Sequence, residues 1–302
     1  MNPARLTLGP LLYNWSAEAV RDFYFRIADE ADIDTVCIGE VVCAKRAPFL
    51  APQLPEIVRR LTAAGKEVVL STLALVMSAA DLNLIAETAT DDGVLIEAND
   101  VSAAALAGGR PFVAGPLLNI YNEDTLACFA GMGAIRACLP AELPATAIAT
   151  LAESASIPLE IQAFGRLPLA VSARCYAARS RSLAKDGCRF VCAQDPDGMP
   201  VDTLDGVPFL AVNGTQTLSH HYLSLLGMLA PLRQAGIDRF RLWPQTVDMV
   251  AVADLFRRTL AGDLDPAEAG DRLADLCPGR DFADGYIHGR EGRVLVDMEM
   301  AD

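Results

Sequence analysis

Four cysteines have a spacing that could support chemistry, and they are Cys43, Cys175, Cys188 and Cys192. The last three form the pattern C-x12-C-x3-C, whereas Cys43 lies far upstream in the segment GEVVCAKR. Three grouped thiols and one remote thiol suit an iron–sulfur cluster, which four cysteine thiolates hold. The sequence therefore predicts a metal-binding and cofactor-binding set made of these four residues, in a redox protein rather than a simple hydrolase.

The sequence around each of the other four cysteines indicates a structural role rather than a metal-binding one. Cys37 lies in an apolar strand-like run, Cys128 in a helical segment, Cys138 at a strand end and Cys277 in a late loop. No C-x2-C pair occurs in the chain. Its absence argues against structural zinc, whose ligands usually come in short-spaced pairs, although an inert zinc site in a structural barrel stays open as an alternative.

No other catalytic system stands out, and no catalytic residue is assigned. The three histidines are His220, His221 and His288, and none belongs to a metalloprotease, nucleophile-elbow or dinucleotide-binding motif. We expect His220 and His221 to follow a strand and to open a helix. Lys45 and Arg46 follow Cys43, where two cations could tune a cluster, bind an anion or form a solvated surface pair.

Short apolar runs alternate with amphipathic segments along most of the chain, which predicts a parallel sheet. The pattern favours a TIM-barrel-like (β/α)8 fold over an open doubly wound sheet. The predicted strands are Leu6–Leu12, Thr35–Val41, Glu67–Leu73, Gly93–Glu97, Pro111–Leu117, Ala134–Leu139, Pro158–Phe164, Phe209–Val212 and Arg239–Leu242. The predicted helices are Ser16–Glu30, Pro55–Ala64, Ala79–Thr88, Asn122–Gly131, Pro144–Glu153, Tyr222–Gln234 and Thr246–Ala261.

The alternation fails between Pro168 and Pro208, in a stretch rich in Arg, Asp, Gly and Cys. We therefore predict one barrel-type domain over residues 1–302, with a cluster-binding insertion at 168–208 and a short C-terminal extension at 263–302.

Polar residues gather at the predicted carboxyl ends of the strands, where barrel enzymes place their sites. We expect them to form a polar mouth for a small polar ligand on the same face as the thiols. They are Glu40, Ser71, Thr72, Glu97, Asn99, Asn119, Asn122, Glu142, Gln162, Asn213, Gln216 and Gln245.

The composition limits the class of protein. The chain has 302 residues, 52% of them hydrophobic, and a net charge of −14. Such a charge disfavours binding to nucleic acid. The sequence has neither a run long enough for a membrane span nor the features of a signal peptide, so we expect a cytoplasmic protein.

Several segments together resemble the ubiquinone-biosynthesis branch of the collagenase-like (U-type) peptidase family. They include LTLGPLLYNW, GEVVCAKR, LIEAND, PFVAGPLLNIYN, LPLAVSARC and VNGTQTLS, between about Leu6 and about Gln245. The family motif resembles H-G-A-L-C-x-A-Y-S-G-R-C, which matches the stretch from Phe164 to Cys175. Phe164 stands at the family histidine and Pro168 at the first family cysteine, and the resemblance makes Cys43 the replacement ligand.

The resemblance implies a 4Fe–4S cluster bound by the four cysteines and a heterodimer with a homologous partner, UbiU. It also implies a lipid-binding accessory protein, UbiT, and oxygen-independent hydroxylation of a ubiquinone precursor in anaerobic metabolism, with prephenate as the oxygen donor. Because four cysteines would leave no iron open, we expect this subunit to transfer electrons. Two alternatives stay open: a collagenase-like peptidase, and a family member that assists RNA hydroxylation.

Overall fold

The computed structural model describes residues 3–91 and 93–296. The outer limits predicted for the domain, residues 1 and 302, and the end of the predicted extension, residues 297–302, lie outside the described residues.

Eight parallel strands close into a barrel, which confirms the predicted fold class. Closure occurs where the strand Arg239–Leu242 pairs in parallel with both Arg5–Leu8 and Leu159–Val171. The barrel strands are β1 (Arg5–Leu8), β2 (Thr35–Ile38), β3 (Glu67–Ser71), β4 (Ile96–Ala98), β5 (Phe112–Ala114), β6 (Ala134–Cys138), β7 (Leu159–Val171) and β11 (Arg239–Leu242).

Helices connect most of these strands and, apart from a four-residue helix at Tyr176–Arg179 that lies in the inserted segment, cover the outside of the barrel. They are α1 (Ala17–Glu30), α2 (Ala47–Leu50), α3 (Leu54–Ala63), α4 (Ala79–Ala89), α5 (Val101–Ala107), α6 (Glu123–Gly131), α7 (Ala145–Ser154), α8 (Tyr176–Arg179), α9 (Leu229–Gln234), α10 (Met249–Ala261) and α11 (Pro266–Leu276). Ser16 caps α1 as predicted, because its hydroxyl accepts a hydrogen bond from the Ala19 backbone at 3.2 Å. Among the described residues, no helix is both long and apolar enough to span a membrane.

An antiparallel sheet is inserted between the seventh and eighth barrel strands. It consists of β8 (Met199–Asp202), β9 (Pro208–Asn213) and β10 (Gln216–Ser224), and β10 pairs with the second half of β7. The short strand β12 (Phe282–Ala283) joins β10 in parallel. The prediction of a strand at Phe209–Val212 is correct, but this strand belongs to the insertion and not to the series of barrel strands.

Gly165 lies where β7 leaves the barrel. Its φ is +101°, a conformation that glycine adopts most easily, and a Cβ would lie 2.8 Å from Nε2 of Gln245. The first half of β7 therefore pairs with barrel strands, and its second half pairs with β10 of the inserted sheet.

The histidine pair is placed differently from the prediction. His220 and His221 lie within β10 rather than at the start of a helix, and Tyr222, predicted to be helical, continues this strand. The helix begins only at Leu229. The cause is tertiary pairing, since Tyr222 and Leu223 form ladder contacts with β7 and β12.

The barrel interior carries a buried ionic group in addition to its apolar core. Arg241, fully buried, contacts Oε1 of Glu97 and Oε1 of Glu160, each at 2.5 Å. Thr7 donates to the other oxygen of Glu160 at 2.6 Å. Burial alone would raise the pKa of Glu160, but Arg241, Arg136 and these hydrogen bonds outweigh it and hold the pKa below the ordinary value.

Candidate functional site

Three of the four predicted ligands pack together in the insertion. Cys175 and Cys192 are buried and Cys188 is half-buried, in a small cluster around Ala177 and Val191. Cys175 directly precedes α8, and the other two thiols lie on short 3-10 turns. Because these turns are short and tight, the three cysteines of the C-x12-C-x3-C pattern lie in one compact group.

The fourth thiol, Cys43, follows the carboxyl end of β2 and is half-buried. Oε1 of Glu40 accepts hydrogen bonds from the backbone of Val42 and of Cys43, each at 2.8 Å, and so fixes this loop. As predicted, Cys43 therefore lies at the face of the barrel where the strands end.

The turn between β9 and β10 connects the Cys43 loop with Cys175. The Thr215 hydroxyl donates to the Val42 carbonyl at 2.8 Å. Next to it, the carbonyl of Gly214 accepts a hydrogen bond from the Tyr176 backbone at 2.9 Å. Residues adjacent to Cys43 and to Cys175 are thus bound to neighbouring positions of a single turn.

A second bridge connects the Cys43 loop with Cys192. Arg46 is 4% exposed, pairs with Glu40 at 3.2 Å and donates to Oδ1 of Asn213 at 3.2 Å. Nδ2 of Asn213 in turn donates to the Cys192 carbonyl at 2.9 Å and to the Asp195 carbonyl at 2.8 Å. Side chains of the barrel and of the inserted sheet therefore hold the two cysteine-bearing loops together.

The electrostatics of two thiols agree with this grouping. Burial raises the pKa of Cys192, Arg46 and the Asn14 amide oppose that shift, and the neighbouring Cys175 and Cys188 raise the pKa further. Burial likewise raises the pKa of Cys43, against the Lys45 backbone and the charge of Arg46. A raised pKa keeps the proton on each thiol, so binding a metal centre here would release these protons and stabilise the thiolates.

An all-cysteine donor set is the kind that a 4Fe–4S centre would use. Across residues 3–91 and 93–296, no group of three or more His, Cys, Asp or Glu side chains is spaced to hold one metal ion. The four thiolates of a 4Fe–4S centre bind four different irons and do not need to meet at one atom. An all-cysteine set with a buried arginine nearby suits such a centre.

Both cations after Cys43 already contact protein groups. Arg46 is engaged in the bridge to Asn213, and Nζ of Lys45 donates to the Lys185 carbonyl at 3.0 Å and contacts Asp186 at 3.1 Å. A cavity of about 340 Å³ lies beside Cys43, with Lys45 and Lys185 in its lining.

The polar mouth predicted for the barrel is mostly closed. An apolar group that includes Leu12, Val41, Trp243 and Leu218 fills the region above the barrel interior. Many of the expected polar side chains are buried and bonded to other residues, as when Trp243 donates from Nε1 to Gln162 at 2.8 Å. Three of the expected mouth residues, Asn119, Glu142 and Gln162, line a remaining cavity of about 140 Å³.

Two features of the site were not apparent in the sequence. Asn14 donates from Nδ2 to Sγ of Cys192 at 3.3 Å, and Asn213 acts as a bridge rather than a mouth residue. The only available signal for Asn14 was its position as a polar residue just after an apolar strand.

Comparison with known proteins identifies the family. The model for peptidase family U32 matches residues 17–296, nearly the whole chain. The chain belongs to peptidase family U32. Phe164, which the motif resemblance predicts to stand at the family histidine, is fully buried and packs edge-to-face against Tyr222 and Phe256.

Two solved structures are similar at low identity. The phospho-2-dehydro-3-deoxyheptonate aldolase of Thermotoga maritima is 10% identical with a TM-score of 0.45, and the match covers 93% of this chain and 71% of that one. The tryptophan synthase complex of Pyrococcus furiosus is 13% identical with a TM-score of 0.42, covering 91% and 97% of the two chains.

Proposed function

We propose that this family U32 member is UbiV-like, and that it is the iron–sulfur subunit of an oxygen-independent system that hydroxylates a ubiquinone precursor. One observation carries the proposal. The fold packs Cys175, Cys188 and Cys192 together, and two polar bridges fasten the Cys43 loop to the same group.

Cys43, Cys175, Cys188 and Cys192 would hold a 4Fe–4S cluster, which supplies one-electron chemistry when bound. The chain's own residues have supporting tasks. Arg46 offsets thiolate charge at a buried position, and the Asn213 amide keeps the Cys192 loop against the barrel. Since every iron would have a thiolate ligand, we assign this subunit to electron transfer.

The partners are those that the resemblance to the ubiquinone-biosynthesis branch implies. Hydroxylation would take place in a UbiU-like homologous subunit or at the shared interface of the heterodimer, with prephenate as the oxygen donor. A UbiT-like accessory protein would deliver the lipid precursor in the cytoplasm.

An anaerobic assay tests this function. The chain would be mixed with its UbiU-like partner, prephenate and the ubiquinone precursor, and the hydroxylated product measured by mass spectrometry. We expect product with the wild-type chain and with Cys128→Ser, which changes an exposed cysteine, but none with Cys175→Ser. Equal product from both variants would contradict the proposal.

Membership of the U32 family favours peptidase activity as the second candidate. It predicts cleavage of casein or denatured collagen by the purified chain. The buried, aromatic surroundings of Phe164 oppose it, because the residue at the motif histidine packs in the core and cannot act as a base.

A further inference from the structure

We propose that Asn14 sets the reduction potential of the centre through a hydrogen bond to the sulfur of Cys192. Nδ2 of Asn14 lies 3.3 Å from Sγ of Cys192, within hydrogen-bonding distance for a sulfur acceptor. The inference rests on the proposed function, because it requires Cys192 to be a cluster ligand.

The donor is held in place by its neighbours. Asn14 lies in the loop between β1 and α1 and is 9% exposed. The Tyr13 hydroxyl donates to Oε1 of Gln245 at 3.0 Å, and Nε1 of Trp15 donates to the Pro196 carbonyl at 2.8 Å. Residues on both sides of Asn14 are therefore anchored independently of its own bond to sulfur.

The loop that carries the acceptor, Sγ of Cys192, is also held by contacts of its own. Asn213 donates to the Cys192 carbonyl at 2.9 Å, and Trp15 reaches Pro196 in the same loop. Both ends of the Asn14–Cys192 bond are thus fixed before any cluster binds.

The chemistry of the two groups decides which way the amide faces. A thiolate accepts hydrogen bonds, and an asparagine amide offers N–H donors on one side and a carbonyl acceptor on the other. The carbonyl would face the sulfur's negative charge with its own lone pairs, so the N–H side of Asn14 must face Cys192.

Such a bond changes the equilibrium of the one-electron couple [4Fe–4S]²⁺ + e⁻ → [4Fe–4S]⁺. The added electron increases the negative charge shared with the thiolate sulfurs, so an N–H donor stabilises the reduced form more than the oxidised one. Hydrogen bonds to sulfur are among the factors by which proteins set cluster potentials. Asn14 therefore raises the potential.

A substitution of Asn14 tests the effect on the reduction potential with less disturbance of cluster binding than a substitution of Arg46. Arg46 also contributes positive charge, but it joins the Cys43 loop to Asn213, so its removal would disturb cluster binding as well. Among the described residues, Asn14 is the side chain that donates to Sγ of Cys192.

The test is a redox titration of the anaerobically purified protein with dithionite, followed by visible absorbance and electron paramagnetic resonance. In Asn14→Ala we expect the ratio of reduced to oxidised cluster at a fixed ambient potential to fall about ten-fold, which equals about 59 mV for one electron. Asn14→Asp adds negative charge and should lower the ratio further. The control Thr246→Val changes an exposed residue that lines a cavity of about 570 Å³ together with Asn14, and it should leave the ratio unchanged.

A measurement on the unmutated protein keeps the inference testable if Asn14→Ala loses its cluster. Protein labelled with ¹⁵N in the asparagine side chains should show coupling between ¹⁵N and the electron spin of the reduced cluster. Absence of this coupling, or an unchanged ratio in a cluster-containing Asn14→Ala variant, overturns this inference alone. A wild-type protein without iron and sulfide overturns the proposed function together with it.

Discussion

Asn213 is the single residue that most directly joins the barrel to the cysteine loop. Its amide accepts from Arg46 and donates to two carbonyls of the Cys192 loop. Asn213→Ala should leave buried polar groups without partners, lower the free energy of unfolding by about 1–3 kcal/mol and reduce the iron bound per chain. Iron analysis and urea unfolding of the anaerobic protein would measure both effects.

Asn122→Ala is a matched control, because the Asn122 side chain caps α6 by accepting from the Thr125 backbone at 2.8 Å and belongs to neither of the two polar bridges. It should cost about 1 kcal/mol of stability without lowering the iron content. Full iron content in Asn213→Ala would contradict the assigned bridge.

A substitution of Arg241 tests the contribution of the buried ionic group to the stability of the barrel. It is fully buried between Glu97 and Glu160, so its removal would leave two buried carboxylates without their cation. Arg241→Met should lower the free energy of unfolding by about 3–5 kcal/mol. Arg21→Met, which breaks an exposed pair with Asp22, should have no resolvable effect, and equal losses in both variants would refute the assignment.

The pKa of Glu160 predicts a pH dependence. Since the pKa in the folded protein lies below the ordinary value of 4.5, the charged carboxylate stabilises the fold above that pH, and this stability is lost as pH falls through the lowered pKa. The free energy of unfolding should therefore decrease on acidification, and less steeply in Glu160→Gln. Urea unfolding across this acid range would measure the two slopes, and parallel slopes would contradict the account.

Among the elements, β7 determines how the insertion meets the barrel. At Gly165 a Cβ would lie 2.8 Å from Nε2 of Gln245 and 3.0 Å from Cβ of Trp243, at a φ of +101°. Gly165→Ala should therefore lower the free energy of unfolding by about 1–3 kcal/mol. Gly227→Ala adds a methyl group where nothing lies within 4 Å and should be nearly neutral in the same urea titration.

Most barrel elements could be predicted because they have a local signal, whereas the short helix α5 (Val101–Ala107) is missing from the predicted helices. Apolar runs such as Glu67–Ser71 alternate with helices that begin at recognisable caps such as Ser16. The full length of β7 could not be predicted, because glycine and proline, here Gly165 and Pro168, usually interrupt a strand. Both residues remain within β7 because its second half pairs with β10. The strand β10, which contains His220, likewise depends on pairing with β7 and β12, so the local sequence predicts a helix start there instead.

The site was partly predictable for a different reason. Residue type and spacing single out Cys175, Cys188 and Cys192, and the structure packs these three together. The approach of Cys43 depends on contacts between loops that are distant in sequence, and no local pattern contains that information. The bond from Asn14 to Cys192 spans 178 positions and gave no sequence signal.

At the scale of the whole molecule, the net charge of −14 separates the proposed function from RNA hydroxylation. A strongly acidic protein repels phosphate backbones, so we expect no RNA binding in a gel-shift assay even at low salt. Binding that weakens as salt is added would favour the RNA-directed alternative.

The most direct test of the account is the iron and acid-labile sulfide content of the anaerobically purified chain, measured for the wild type and for single serine variants. We predict about four irons and four sulfides per wild-type chain, since the proposed 4Fe–4S centre contains these numbers. Loss of the cluster is predicted in the variants of Cys43, Cys175, Cys188 and Cys192, with full retention in Cys128→Ser. A wild-type protein without iron, or one whose iron survives Cys43→Ser unchanged, would contradict the central claim.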